Sequence, residues 1–229
     1  VTEQMISVFR GNKNFENIKL NSIELKYLGN GKNPISLGDL EGNEFTITIR
    51  NLGNKEIKKI KNYENKKIKI PNLFGPQRFS RNNHLAGKAI VKRDFKQAVE
   101  LILENNGFNE NVMAEYLKTN KNNFIGALRT IPLKTRNLYV HAYQSFLFNE
   151  VISQYLKNNK CENVKIPLIG FNFEISAIKN KELKNIIKKI LEEEKITSRD
   201  FVTSRMPELA SEGAFRDLLF EADDLRISD

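Results

Sequence analysis

The chain has 229 residues, 40% of them hydrophobic, enough for one large domain or two modest ones with a packed core. A single Cys and two His exclude an internal disulfide and a Cys-based zinc cluster, and they argue against a His-rich metal site. The formal charge of +9 favours a polyanionic partner, and with no run near the roughly 18 apolar residues of a membrane span and no signal-peptide pattern, a cytoplasmic location is expected.

Residues 4–9 read as a strand. Ile23, Leu25 and Tyr27 alternate with polar residues, the period of a strand with one buried face. An Asn-Gly turn signal follows in 29–34. Phe45, Ile47 and Ile49 then alternate against Thr46, Thr48 and Arg50, the clearest strand pattern in the chain. The Lys-rich stretch 55–69 carries only a weak helical signal. Beyond it the texture turns helical. Phe95, Ala98, Val99, Ile102 and Leu103 mark one helix face, with Asp94 placed as N-cap and Gln97 at the capping-box position. A shorter helix is expected over 109–120 and the longest over 136–157, apolar on a wide face that suits a helical core. Leu183, Ile186, Ile187, Ile190 and Leu191 repeat the helical pattern, and Thr197 with Asp200 suggests a capped turn. The segment 214–227 reads as a strand and a turn. Strands first, helices in the middle and strand character at the end argue an α+β fold.

Charge is segregated along the chain. From Asn65 to Arg93 there is no acidic residue and there are eight cations: Lys66, Lys67, Lys69, Arg78, Arg81, Lys88, Lys92 and Arg93. A second acid-free window, Tyr116 to Asn149, holds Lys118, Lys121, Arg129, Lys134 and Arg136. Phosphate backbones bind such patches, with strong salt dependence. The competing reading is that the acidic runs 192–194 and 221–224 fold over and neutralise them. Phe74 and Phe79 lie inside the first window. Phe74 is expected to anchor the loop, whereas Phe79 could anchor it or stack on an unpaired base. Gln77 and Arg78 need partners, structural or RNA.

The run "PNLFGPQRFSRNNHLAG" resembles the signature of the tRNA pseudouridine synthase D family, through Asn72, Phe74, Gly75, Gln77, Arg78 and Phe79. Leu73 stands where the family usually has Tyr, and Ser80 where it has Gly. Three more segments are similar in the expected order. They are "ISLGDLEGNEFTITIR", with Asn43 and Phe45; "LKTRNLYVHAYQSFLFN", through Arg136, Tyr139, His141, Ala142, Tyr143, Gln144, Ser145 and Asn149; and "MPELASEGAFRDLL", with Arg216. The resemblance covers nearly the whole chain and is archaeal-like.

The resemblance implies a pseudouridine synthase sheet domain, mixed or antiparallel, interrupted by a mainly helical insertion. Residues 1–75 would belong to the catalytic domain, 76–204 to the insertion and 205–229 to the return into the sheet. It implies an isomerase that converts a uridine of tRNA (by family, position 13) to pseudouridine without a cofactor. Such an enzyme needs tRNA as its partner, no protein partner and no membrane, and is expected as a monomer. Asn43 and Phe45 would line the uridine pocket, an amide reading the base edge and a ring stacking on it. Gln77, Arg78, Phe79, Arg81, His84 and Lys88 would contact RNA. The family's nucleophilic Asp is expected about four residues before Val1, with "VTEQ" as the tail of its segment, and a late strand segment is expected after Asp229. The chain is thus read as an internal portion of a longer enzyme with no catalytic residue of its own. Asp39 is expected to accept backbone N–H groups in a turn, His141 to be a hydrogen-bonded core residue and Cys161 to be structural. The alternative is a non-catalytic RNA-binding protein or an inactive family member.

Overall fold

The computed structural model describes residues 3–11, 14, 21–36, 39, 46–105, 107–158, 164–222 and 226–227. The chain forms two compact units, Val1–Glu56 and Ile57–Asp229. The expected features at Asn43, Phe45 and Cys161, and positions 223–224 of the second acidic run, lie outside the described residues.

In the first unit the described residues are irregular. Tyr27 donates to Asn30 at 2.7 Å, and the Ser7 hydroxyl accepts from the Ile35 amide at 3.0 Å. Asp39 accepts from the Ser36 amide at 2.7 Å, the expected turn role. The strands expected over 4–9, 23–27 and 45–49 are not formed by their described residues, apart from an isolated bridge at Ile23. Period-2 alternation marks what a strand would bury, but a strand also needs a partner and a covering face. Here Ile47 is 79% and Ile49 59% exposed, while Leu25 and Tyr27 are half-buried without joining a strand.

The second unit is helical around one core. Helix α1 (Asn54–Lys61) spans the boundary between the units, and the second unit goes on with α2 (Pro76–Phe79), α3 (Asn83–Val91), α4 (Phe95–Leu103), α5 (Phe108–Thr119), α6 (Phe124–Arg129), α7 (Leu133–Asn158) and α8 (Lys181–Glu194). Helices α4, α5, α7 and α8 form where the apolar periodicity of the sequence places them. Asp94 caps α4 by accepting from the Gln97 amide at 3.0 Å. The Thr197–Asp200 capping box opens a short 3-10 turn. Helix α7 carries the core, burying Tyr139, Val140, Ala142, Tyr143, Leu147, Phe148, Val151, Ile152 and Tyr155. Helix α3 lies against it so closely that a Cβ on Gly87 would run into the Tyr139 carbonyl oxygen. No side chain larger than hydrogen fits there.

Two small antiparallel ladders complete the unit and make the fold α+β. Strand β1 (Ile68–Pro71) pairs with β4 (Leu219–Ala222), Pro71 opposite Leu219. Strand β2 (Lys165–Leu168) pairs with β3 (Ala214–Asp217), Lys165 opposite Asp217. Leu218 joins them. Its N–H donates to Val164 at 2.8 Å and its carbonyl accepts from Asn72 at 2.8 Å, with the side chain fully buried. One returning segment therefore pairs first with the strand after α7 and then with the strand before α2. This places Arg216 beside Asn72, although 144 positions separate them in sequence. Among the described residues, no helix is long and apolar enough to cross a membrane.

Candidate nucleic-acid interface

The site grows from the point where the chain leaves β1. Asn72 continues the ladder with its backbone N–H and extends it with its side chain. Its Nδ2 donates to the Asp217 carbonyl at 3.0 Å, and its Oδ1 accepts from Arg216 Nη2 at 2.8 Å. The Leu73 amide turns back onto the Pro71 carbonyl at 2.8 Å. Phe74 then stands off the ladder, with its backbone held by the Asn149 side chain of α7. Asn149 Oδ1 accepts from the Phe74 N–H at 3.0 Å, and Asn149 Nδ2 donates to the Phe74 carbonyl at 2.9 Å. The Phe74 ring meets Phe148 edge to face at 5.4 Å. The Arg216 guanidinium stacks on it at 4.2 Å and that of Arg78 lies at 5.3 Å, both within cation–π range. Phe74 is thus an anchor, as its sequence context suggested, and it gathers two cations around one ring.

Pro76 starts α2, where its fixed φ and missing N–H cost nothing. Ser80 ends it with φ 47° and ψ −125°, a conformation that suits the Gly usual at this signature position. Arg81 is exposed at the next position. Asn82 and Asn83 are buried. The Asn82 amide donates to the Leu101 carbonyl at 2.7 Å and to Glu104 at 3.0 Å, and it accepts from Asn105 at 3.0 Å. These bonds fasten the start of α3 to the end of α4.

His84 lies in α3, not in a loop as its sequence context suggested. Its ring is stacked on Phe146 at 5.2 Å and meets Phe79 edge-on at 5.5 Å. Burial pulls its pKa below the usual histidine value; Glu194 opposes that pull and Lys88 adds to it. Its Nδ1 is buried without a hydrogen-bond partner. Phe79, half-buried, therefore packs inward against His84. The stack continues through Phe146 and Tyr143 to the core residue Phe201. Lys88 is engaged as well. Its amine sits 2.8 Å from Glu194 Oε2, the same oxygen that accepts from the Tyr143 hydroxyl at 2.6 Å. Burial, chiefly, then this bond, push the Tyr143 pKa up.

The acidic runs neutralise part of the first basic window, through Glu194 and Glu221, and acids outside the runs pair with further cations of both windows. Glu194 takes Lys88, Glu221 takes Lys67 at 3.0 Å and Asp200 takes Arg93 at 3.5 Å. In the second window Glu208 takes Arg136 at 2.9 Å and Arg129 at 3.0 Å, and Glu115 takes Lys118 at 2.6 Å. Hydrogen bonding from Arg129, ahead of that from Arg136, holds the Glu208 pKa at about 2. Among the described residues, no carboxylate pairs with Arg78, Arg81 or Arg216. Burial and then the Arg78 charge lower the pKa of Arg216, and the same two causes lower that of His141. His141 is exposed on α7 beside Arg78, not enclosed in the core.

Of the residues expected at RNA, Arg78 joins Arg216 around Phe74, Gln77 and Arg81 are exposed, and Phe79, His84 and Lys88 belong to the packed cluster under α2. Sequence reasoning assigned no role to Asn72 or Asn149 and missed Glu208 as an ion-pair partner, whereas Glu194 lies in the acidic run 192–194 that the competing reading set against the basic windows. The two amides carried a signal, since each is a polar residue within a signature segment. Glu208 carried none, because it lies far along the chain from the cations it binds.

The relatives of this chain are a family of RNA-modifying enzymes. The family model "tRNA pseudouridine synthase D (TruD)" matches residues 1–111, 103–164 and 154–229, so the chain belongs to the tRNA pseudouridine synthase D family. Among curated relatives, a "Probable tRNA pseudouridine synthase D" of Methanosarcina acetivorans is 27% identical over 97% of this chain and 69% of its own length. Proteins of the same name from Nanoarchaeum equitans and Pyrococcus abyssi are 27% and 31% identical, over 86% and 73% of this chain and 62% and 49% of their own lengths. A crystal structure from Methanosarcina mazei, assigned to tRNA pseudouridine synthase D, superposes with a TM-score of 0.69 at 24% identity. That likeness is one of fold, and it covers 90% of this chain and 66% of the solved one.

Proposed function

We propose that this protein isomerises a uridine of tRNA to pseudouridine, and that the face carrying Arg78, Arg81 and Arg216 receives the tRNA backbone. The reaction breaks the N1–C1′ bond, rotates the freed uracil, forms a C5–C1′ bond and moves the C5 proton. It consumes no redox equivalent and no external cofactor. The uridine must first leave its stack. Asn43 and Phe45 are proposed to hold it, and the nucleophilic Asp is proposed to lie upstream of Val1. Residues 76–204 are proposed as the helical insertion, with 1–75 and 205–229 in the catalytic domain, and position 13 is the proposed target.

The observation that best supports RNA binding is the Arg78–Phe74–Arg216 arrangement. Two guanidiniums share one aromatic ring and neither has a carboxylate partner among the described residues. Like charges held together need an anion, and a phosphate backbone supplies anions at regular spacing. Arginine suits the task because its planar fork matches phosphate oxygens.

The test is pseudouridine formation on unmodified tRNA by the protein that includes the upstream segment. Asn43→Ala is expected to lower turnover about 100-fold with little change in Tm. Equal losses of turnover and stability would make Asn43 structural. Salt-dependent tRNA binding without any product would favour the non-catalytic RNA binder.

A further inference from the structure

We propose that Asn149 is a positioning residue, which presents Phe74, and through it Arg216, to the RNA. The inference deepens the function proposed above and rests on it. Phe74 needs this help because the β1–β4 ladder ends before it. Asn72 still donates to Leu218, and Leu73 folds back onto Pro71. The Phe74 N–H and C=O have left the sheet, yet the residue is half-buried and must satisfy both. The Asn149 carboxamide supplies an acceptor and a donor in one plane, at 3.0 and 2.9 Å. It stands in for the missing strand neighbour, pairing as a peptide group would. A side-chain amide offers both functions on one planar group, as a peptide does, whereas a carboxylate lacks the donor.

The consequence is rigid placement of the ring. Asn149 sits on α7 next to Phe148, whose ring meets Phe74 edge-on at 5.4 Å and carries Arg216 at 5.5 Å from its centroid. Arg216 is tied at its other side to Asn72 Oδ1 at 2.8 Å. Crossing segment, returning strand and longest helix thus converge on one guanidinium. Asn149 is the fastening from the helix. Without it the ring is free to turn away and the stacked cation loses its platform. Loss of such placement can cost a large factor without removing any group that touches the ligand.

The experiment measures unmodified tRNA binding by the full protein across about 50 to 200 mM salt. It compares wild type, Asn149→Ala, Phe74→Ala and the double variant. Asn149→Ala is expected to weaken binding about tenfold and to flatten the log-log salt slope by about one, the loss of one phosphate contact. It is also expected to be non-additive with Phe74→Ala, because both act on one arrangement. Hydrogen exchange at the Phe74 amide should accelerate in the same variant. If Asn149→Ala binds as wild type, or if its effect simply adds to that of Phe74→Ala, the proposal is overturned. If Asn149→Ala does not fold, Asn149→Gln takes its place, keeping the amide but displacing it by one methylene, with the same outcomes required. Failure of the wild type itself to show salt-dependent binding would sink the RNA-binding reading instead.

Discussion

The two acid-free windows look alike in sequence and differ in the folded chain. Over 116–149, Arg129 and Arg136 converge on Glu208, and Lys118 pairs with Glu115. The two arginines tie α6 and α7 to the segment that returns toward β3, whereas Lys118 pairs locally on α5 and Lys121 and Lys134 stay exposed without a carboxylate among the described residues. Over 65–93, ion pairs engage Lys67, Lys88 and Arg93 but leave Lys66, Lys69, Lys92, Arg78 and Arg81 without a carboxylate among the described residues. A run of like charge therefore does not define a binding surface by itself. Distant acids decide which cations stay available, and here they spare those of the signature run.

Reversal of charge should break the comparison most strongly. Arg78→Glu with Arg81→Glu is expected to weaken tRNA binding by about 100-fold near 100 mM salt, with a salt slope flatter by about two. Arg129→Gln should leave affinity within about twofold, because its charge is already committed to Glu208. Equal losses from both substitutions, read by fluorescence anisotropy, would erase the difference between the windows.

Removing the acid sharpens the same contrast. Glu208→Gln leaves the Arg136 guanidinium, 11% exposed, without its carboxylate. Discounted for the partial exposure of Glu208, the loss is about 1 kcal/mol, or a Tm lower by about 2–4 °C. The pH dependence follows from the direction of the shift. Glu208 is depressed from 4.5 to about 2, so its contribution is whole above 4.5 and is lost as pH falls toward 2. The variant should lack that acid-sensitive component in thermal melts. At higher pH, His84 and His141 act in the same direction. Their folded pKa values lie below 6.5, so the unfolded chain binds protons first and stability declines as pH falls through that value.

The smallest effect is expected at Ser80. Its φ of 47° makes it a poor site for a side chain, so Ser80→Gly should stabilise the protein by about 0.5–1 kcal/mol. Affinity for tRNA should not change, since Ser80 offers no charge to the surface. A loss of stability would mean that the turn is held by contacts of the Ser side chain.

Much of this was legible before folding. The helices α4, α7 and α8 follow from their periodicity, and Asp94 and Thr197 do the capping their positions suggested. The signature run was legible too, down to the oddity of Ser80. Other features were hidden for definite reasons. Helix α3 carries a mix of Asn, His, Gly and Lys with no clean apolar stripe, because Gly87 exists for close approach to α7 and not for amphipathicity. The Arg216–Asn72 bond and the Glu208 pairs join residues 144 and at least 72 positions apart, and no local pattern encodes such a meeting. The alternation at Ile23–Tyr27 and Ile47–Ile49 was read as strand, yet alternation states only a potential face. Ile23, Ile47 and Ile49 are exposed, and the half-buried Leu25 and Tyr27 join no strand.

The central claim is that tRNA meets the signature run and not the second basic window. Hydrogen exchange of the full protein with and without tRNA tests it most directly. New protection is expected over 72–84, through Phe74, α2 and the start of α3, with none over 124–136. Protection over 124–136 with none at 72–84 would contradict the claim.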